Sequence, residues 1–272
     1  MYIVIDIGGT NIRLAGSRDL KTLSEPIIFA TPKEYEGTIE HIAELALQVA
    51  DGEPIEALAG GVPRLSHDMR TILPPCEWSN IPAWEGKPIA SDLEKLLNTR
   101  AYFCNDASLV GLGEAVCGAG VGAKIVVYMT VSTGVNGVRI VDGALEPSAF
   151  SYSIGDQYIS MDEPVRPLEK MISGRSLEER YGMHASELGK EHAVWEELAR
   201  TTAFGVHNTI LHWTPQRVVL GGSMFNEIGI PVDRVTFHLK TITKTEIPEI
   251  VHSSLGAIGG LYGGLVLLTQ RS

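Results

Sequence analysis

The chain has 272 residues, 44% of them hydrophobic, 20% charged and 7% aromatic, with 29 Gly and 14 Pro dispersed along it; together with a mean hydropathy of +0.08 this excludes a disordered or collagen-like polymer and bounds the chain at one large or two modest folded domains. Thirty-three Asp and Glu against 22 Lys and Arg leave a net charge of −11, and with no basic patch to override it that field repels nucleic acid and anionic membranes. Cys76, Cys104 and Cys117 form no CxxC or Cys/His cluster, so no disulfide framework or thiolate zinc site is expected, and the opening MYIVIDIGG lacks the charged region and cleavage pattern of a signal peptide; both point to the cytoplasm.

In chain order, the β-branched run 2–7, the turn Gly8-Gly9-Thr10 and the run 11–17 predict a hairpin with glycines at its tip. A third strand is expected at 26–30, and residues 34–51 place Ile39, Ile42, Ala43, Ala46, Val49 and Ala50 on one helical face. Strands at 55–61 and 70–73 follow, then a proline-rich loop over 74–90, a helix over 92–98 with Ser91 and Glu94 as a capping box, and a strand at 101–104. The second half repeats the opening: a helix near 107–117, a strand at 124–131, the turn Ser132-Thr133-Gly134 and a strand at 135–141 closed by Asp142-Gly143. Helices are expected at 163–173, 176–181 and 191–213, a strand at 217–220 entering Gly221-Gly222, and helices near 231–242 and 257–269. The apolar stretch 255–268 holds five glycines and is shorter than the ~20 residues of a membrane span, so it is expected as a packed helix. The two glycine-tipped hairpins lie about 124 residues apart and each opens a half, which predicts two α/β lobes with a cleft between them.

Three places carry candidate chemistry. At the tip of DIGGTNIR, residues 6–13, glycines admit close approach of an anion to the backbone N–H groups, and Thr10 and Asn11 add donors. Asp6 would repel a phosphate directly but suits a magnesium ion held through water. An ordinary turn uses the same residues; VSTGVNG, residues 131–137, repeats the pattern and tips the reading toward a pair of phosphate cradles. Asp106 follows the end of the strand 101–104, where a helix begins and where it can cap that helix or accept a proton from a substrate hydroxyl attacking phosphorus. Trp78 and Trp84 flank a loop where they can stack on a sugar or pack beneath the prolines, and packing is the reading taken. No GxxxxGK[ST] is present, and GAGVG at 118–122 sits between a helix and a strand, the wrong context for a dinucleotide fingerprint.

Taken in order, DIGGTNIR, the NIPAW of 80–84, NDA of 105–107 with GLGEA behind it, TVSTGVNG, RVVLGGS of 217–223 and the closing LGAIGGLYGG resemble the ROK family of sugar kinases within the actin, hexokinase and Hsp70 ATPase superfamily, across essentially the whole chain. The resemblance implies a two-lobed actin-like ATPase (ribonuclease H-like) α/β fold with a central cleft, residues 1–106 with 257–272 forming the smaller domain and 107–256 the larger. It implies ATP- and magnesium-dependent phosphorylation of a hexose, glucokinase-like or acting on an N-acetylhexosamine. Gly8, Gly9, Thr10, Asn11 and Arg13 would form the first phosphate loop with Asp6 on the magnesium side, Ser132, Thr133 and Gly134 the second, and Gly221, Gly222 and Ser223 would lie under the adenosine. Asp106 would be the general base; Asn80 and Asn105 would hold sugar hydroxyls. A homodimer is expected by the same analogy.

The family's zinc motif and its GExGH segment are absent: the corresponding stretch reads SYSIGDQYISMDEPVRPLEKMISG, residues 151–174, so no zinc is expected. Asp156 and Glu169 are the nearest matches to the family's sugar-binding acids. The glycine-rich loop after the strand at 55–61 is altered too, reading GGVPRLSHDM, which predicts a sugar pocket unlike a standard glucokinase's. The alternative within the family is a catalytically idle sugar-binding or regulatory protein; because the chain begins directly on its first strand, a DNA-binding module is not expected.

Overall fold

The structure is a computed structural model that describes residues 1–73, 81–147, 153–161 and 164–271. The chain runs β1 (Tyr2–Ile7), β2 (Asn11–Ser17), β3 (Ile27–Ala30), α1 (Glu36–Ala50), β4 (Ala57–Val62), α2 (Ile89–Leu97), β5 (Arg100–Asn105) and α3 (Asp106–Cys117). It continues with β6 (Ile125–Val131), β7 (Val135–Val141), β8 (Ala144–Leu145), α4 (Glu169–Ile172), α5 (Gly174–Tyr181), α6 (Val194–Trp213), β9 (Arg217–Gly221), α7 (Val232–Ile242), β10 (Glu249–His252) and α8 (Gly259–Thr269).

Two compact units result. Met1–Cys117 and Ala257–Ser272 make up most of the first; Gly118–Glu146 and Tyr152–Gly256 make up the second. The helix α3 therefore belongs with the first unit, and the sequence-based boundary at residue 106 moves to the end of that helix. The reason is helix packing: a Cβ on Gly113 would collide with the carbonyl of Gly259, and one on Gly263 with the carbonyl of Leu109, so α3 and α8 cross backbone to backbone where only glycine fits.

In the first unit the sheet order is β3-β2-β1-β4-β5, with β1–β2 and β2–β3 antiparallel and β1–β4 and β4–β5 parallel. Side chains alternate across β1. Ile3, Ile5 and Ile7 join a core with Ile39, Ile42 and Ala46 of α1 and Ile89 and Leu93 of α2. Val4 and Asp6 face the other way, against Gly264 and Gly260 of α8. The second unit repeats the order as β10-β9-β6-β7-β8, with β6–β7 and β7–β8 antiparallel and β6–β9 and β9–β10 parallel. Val127, Met129 and Val131 of β6 there pack with Trp195, Leu198 and Val206 of α6 and Val235 and Leu239 of α7. The duplication expected from the two hairpins is thus present strand for strand. No helix among the described residues is long and apolar enough to cross a membrane.

Several local expectations are corrected. α2 begins at Ile89, not 92: no side chain caps its start, Ser91 lies inside it, and Arg70 pairs with both Ser91 and Glu94 instead. The expected strand at 70–73 reduces to a single bridge between Leu65 and Ile72. Of the helix expected over 163–173, residue 163 lies outside the described residues and 164–173 hold only α4, because Pro164 and Pro167 exclude hydrogen-bonded helix before it. Two short edge strands, β8 and β10, were not anticipated; neither has the apolar run that marks the central strands. Trp84 is fully buried, edge-on to Tyr35 at 5.3 Å, so it serves packing. Cys76, Trp78 and Asn80 lie outside the described residues.

Candidate active site

The first unit gathers charge at the ends of its central strands. Asp6 is the penultimate residue of β1 and faces Arg13 across the β1–β2 ladder, Nη1 to Oδ2 at 3.7 Å. α8 covers it: a Cβ on Gly260 would lie 2.6 Å from the Asp6 Cγ, so the acid is 7% exposed. Burial, with the negative charge of Asp106 second, pushes the Asp6 carboxyl up to about 7, against the pull of Arg13. Asp106 opens α3 directly after β5 and stays half-buried. Burial pushes it up to about 6, while hydrogen bonds from the backbone N–H of Ala107 and of Asp106 itself and from the Asn105 side chain draw it down. Burial raises the Cys104 thiol next to it, with the two acids adding to the effect, so it stays a thiol at neutral pH.

The capping role considered for Asp106 falls also to Asn105, whose Oδ1 accepts from the Ser108 N–H at 3.3 Å. Asp106 shares the helix start with it, through the N–H groups of Ala107 and of Asp106 itself. Arg13 sits down β2, away from the hairpin tip, and its Nε is buried without a partner. Gly8, Gly9, Thr10 and Asn11 do form the tip: Gly8 N–H donates to the Asn11 carbonyl at 3.0 Å, and Thr31 anchors it from β3's end through its hydroxyl to the Gly8 carbonyl at 2.7 Å.

The second unit builds a different end to its equivalent hairpin. Ser132 Oγ and Ser223 Oγ are 2.9 Å apart, so the turn after β6 and the short 3₁₀ helix Ser223–Phe225 after β9 meet. Gly222 has φ of +96°, and a Cβ there would lie 2.6 Å from Thr130 Oγ1. Gly221 packs on the Tyr128 ring, where a Cβ would lie 2.6 Å from the phenol oxygen. Thr133 is exposed at the tip. Glu169 Oε2 accepts from the Val135 N–H at 2.8 Å, directly beside Gly134. Asp156 is exposed and closes its own 3₁₀ turn, Ile154–Asp156, by accepting from the Ser153 N–H at 3.4 Å.

The structure thus joins Asp6, Arg13, Asn105 and Asp106 in one unit and Ser132, Thr133, Gly134, Glu169, Gly221, Gly222 and Ser223 in the other. Residues missed by sequence reasoning are glycines and hydroxyls that shape these places: Gly260 over Asp6, Thr31 under the first tip, Gly174 and Ser153 beside the second. The glycine run of α8 was the available signal for the first of these.

The chain is 28% identical over 313 residues to an N-acetyl-D-glucosamine kinase of Photobacterium profundum, with 100% of each chain covered. Among solved structures it resembles a ROK hexokinase from Thermus thermophilus, with a TM-score of 0.84 at 25% identity over 100% of this chain and 99% of that one. It also resembles a ROK family glucokinase from Streptomyces griseus in complex with glucose and AMPPNP, with a TM-score of 0.80 at 21% identity over 100% and 99%. The expected actin-like ATPase class of α/β fold is therefore the fold of this chain. With the ROK family model matching residues 2–271, nearly its full length, the chain belongs to the ROK family.

Proposed function

We propose that this protein is an ATP-dependent sugar kinase that phosphorylates a hexose hydroxyl, of the glucose or N-acetylhexosamine kind, with Asp106 as general base. The observation that carries the reading is the state of Asp106: half-buried at the junction of β5 and α3, hydrogen-bonded by the Asn105 side chain, and pushed up to about 6 by burial. Near neutral pH such a carboxylate is ionised and still basic enough to take a proton in the transition state. The sugar oxygen attacks the γ-phosphorus, the bond from that phosphorus to its bridging oxygen breaks, and the hydroxyl proton passes to Asp106, leaving a sugar phosphate and ADP.

In this reading the tips at Gly8–Asn11 and Ser132–Gly134 receive the phosphates, Gly221, Gly222 and Ser223 lie against the adenosine, and Asn105 orients Asp106 and neighbouring sugar hydroxyls, with Asn80, Asp156 and Glu169 as further sugar-side candidates. A magnesium site at Asp6 fits what is seen there: the buried Asp6 and the half-buried Asp106 repel each other, balanced by one arginine, and offer the hard oxygen donors that ion takes. Bound there through water, magnesium would neutralise charge developing on the phosphates. The free thiols Cys104 and Cys117 and the demand for ATP fit a cytoplasmic enzyme; the homodimer rests on the family resemblance.

The relatives named as N-acetyl-D-glucosamine kinase, hexokinase and glucokinase support the reaction class. A specific observation favours a second reading, a sugar-binding protein without turnover: Asp156 and Glu169, the acids expected at the sugar, each already accept a hydrogen bond from this chain's own backbone. Measuring ADP release from ATP and magnesium with glucose, mannose, N-acetylglucosamine, N-acetylmannosamine and fructose decides between them. Release that depends on one of these sugars is the expected result. A thermal shift by a sugar without release by any of them would replace the kinase with the binder.

A further inference from the structure

One peptide at the tip of the first hairpin has no side chain to orient it. Gly8 and Gly9 flank that peptide, and with no Cβ on either side sterics give little preference for the way its carbonyl points. Thr31, just past the end of β3, supplies the preference. Its hydroxyl donates to the Gly8 carbonyl at 2.7 Å and its N–H to the Thr10 carbonyl at 2.9 Å. A trans peptide carries its C=O and N–H on opposite sides, so drawing these two carbonyls toward Thr31 turns the N–H groups of Gly9 and Asn11 away from it. Thr31 is itself held in place: Asn11 and Ile12 of β2 pair with Ala30 and Phe29 of β3, Phe29 packs on the core, and Pro32 favours extended backbone in the residue before it.

We propose that Thr31 is a positioning residue of the first phosphate hairpin, presetting the Gly8–Gly9 peptide so that an N–H group and not a carbonyl faces the incoming anion. The proposal rests on the kinase reading for the anion and on geometry alone for the preset. A flipped Gly8–Gly9 peptide would show the negative end of its dipole to a phosphate, and the apparent affinity for ATP falls with the fraction of molecules in the competent state. The Thr31 hydroxyl is the group that opposes the flip. Serine keeps that hydroxyl; valine keeps the shape of the side chain and loses the donor.

Steady-state kinetics with the best sugar of the panel test this with Thr31→Val and Thr31→Ser. Thr31→Val is expected to raise KM for ATP by roughly fivefold, the equivalent of one hydrogen bond, while KM for the sugar stays within about twofold and Thr31→Ser stays close to the parent. An unchanged ATP KM in Thr31→Val, or a serine variant as impaired as the valine one, overturns the preset. Amide hydrogen exchange without any ligand separates its failure from failure of the kinase reading. The amides to follow are those of Thr31 and of Gly8, which donates to the Asn11 carbonyl at 3.0 Å, because both are released when the tip opens. Faster exchange in Thr31→Val that Thr31→Ser reverses supports the preset even if no sugar is phosphorylated; equal protection in all three proteins overturns it even if the kinase is fully active.

Discussion

The two sheets share a strand order and a three-residue turn at the end of the first hairpin, yet they finish that end in opposite ways. In the first unit the strand ends deliver charge: Asp6 and Asp106, both raised toward neutrality by burial, with Arg13 opposite. In the second they deliver backbone and hydroxyls: the Ser132–Ser223 contact, the left-handed Gly222 and an exposed Thr133, while the nearby acid, Glu169, is occupied by a backbone N–H. One topology has been given a charged half and a shaping half. Chemistry at the first should then be sensitive to charge, and function at the second to shape.

The sharpest way to break that contrast is Asp106→Asn, which preserves size and removes the proposed base. Turnover should fall by roughly 10²–10⁴ with nucleotide binding nearly intact, measured by ADP release and by titration with a non-hydrolysable ATP analogue; an equally active variant would remove Asp106 from the mechanism. In the second unit the matching change is steric. Gly222→Ala puts a methyl group against Thr130 Oγ1 and the Val131 carbonyl at a φ of +96°, and should cost about 2–3 kcal/mol in urea unfolding while weakening ATP binding. Unchanged stability would show that the turn after β9 is less tightly set than its contacts indicate.

The smallest of the three effects concerns pH. The native Asp6 carboxyl lies at about 7 against an ordinary 3.8. Between those values the folded chain keeps a proton that the unfolded chain releases, so stability falls as pH rises through this window and the full cost of the buried charge is felt above it. Asp6→Asn should accordingly flatten the curve and exceed the parent in stability at pH 8 by on the order of 2 kcal/mol, while losing magnesium-dependent turnover. For activity the sign is the reverse. In the proposed reaction Asp106 acts ionised, so kcat/KM should climb through about pH 6, with the apparent value belonging to the acid pair and not to one residue. A flat profile from pH 5 to 8 would argue against the dyad.

Much of this was legible in the chain itself. The β-branched runs and three-residue glycine turns marked both hairpins, the periodicity of Ile39, Ile42 and Ala46 marked α1, and the order of short motifs pointed to the family. These signals are local: they depend on neighbours a few residues apart. What the sequence could not decide was where helices end among prolines, as at α4, or whether Ser91 caps α2 when Arg70 from an earlier loop competes for it. Nor could it show that Gly260 covers Asp6, that Asn105 bonds the Ser108 N–H at the start of α3, or that Glu169 reaches back to Val135. Those outcomes depend on contacts between residues as far as 254 positions apart for Gly260 and Asp6. Burial and proximity set the charge state of an acid and the partner of a backbone N–H, and both exist only once the chain has folded.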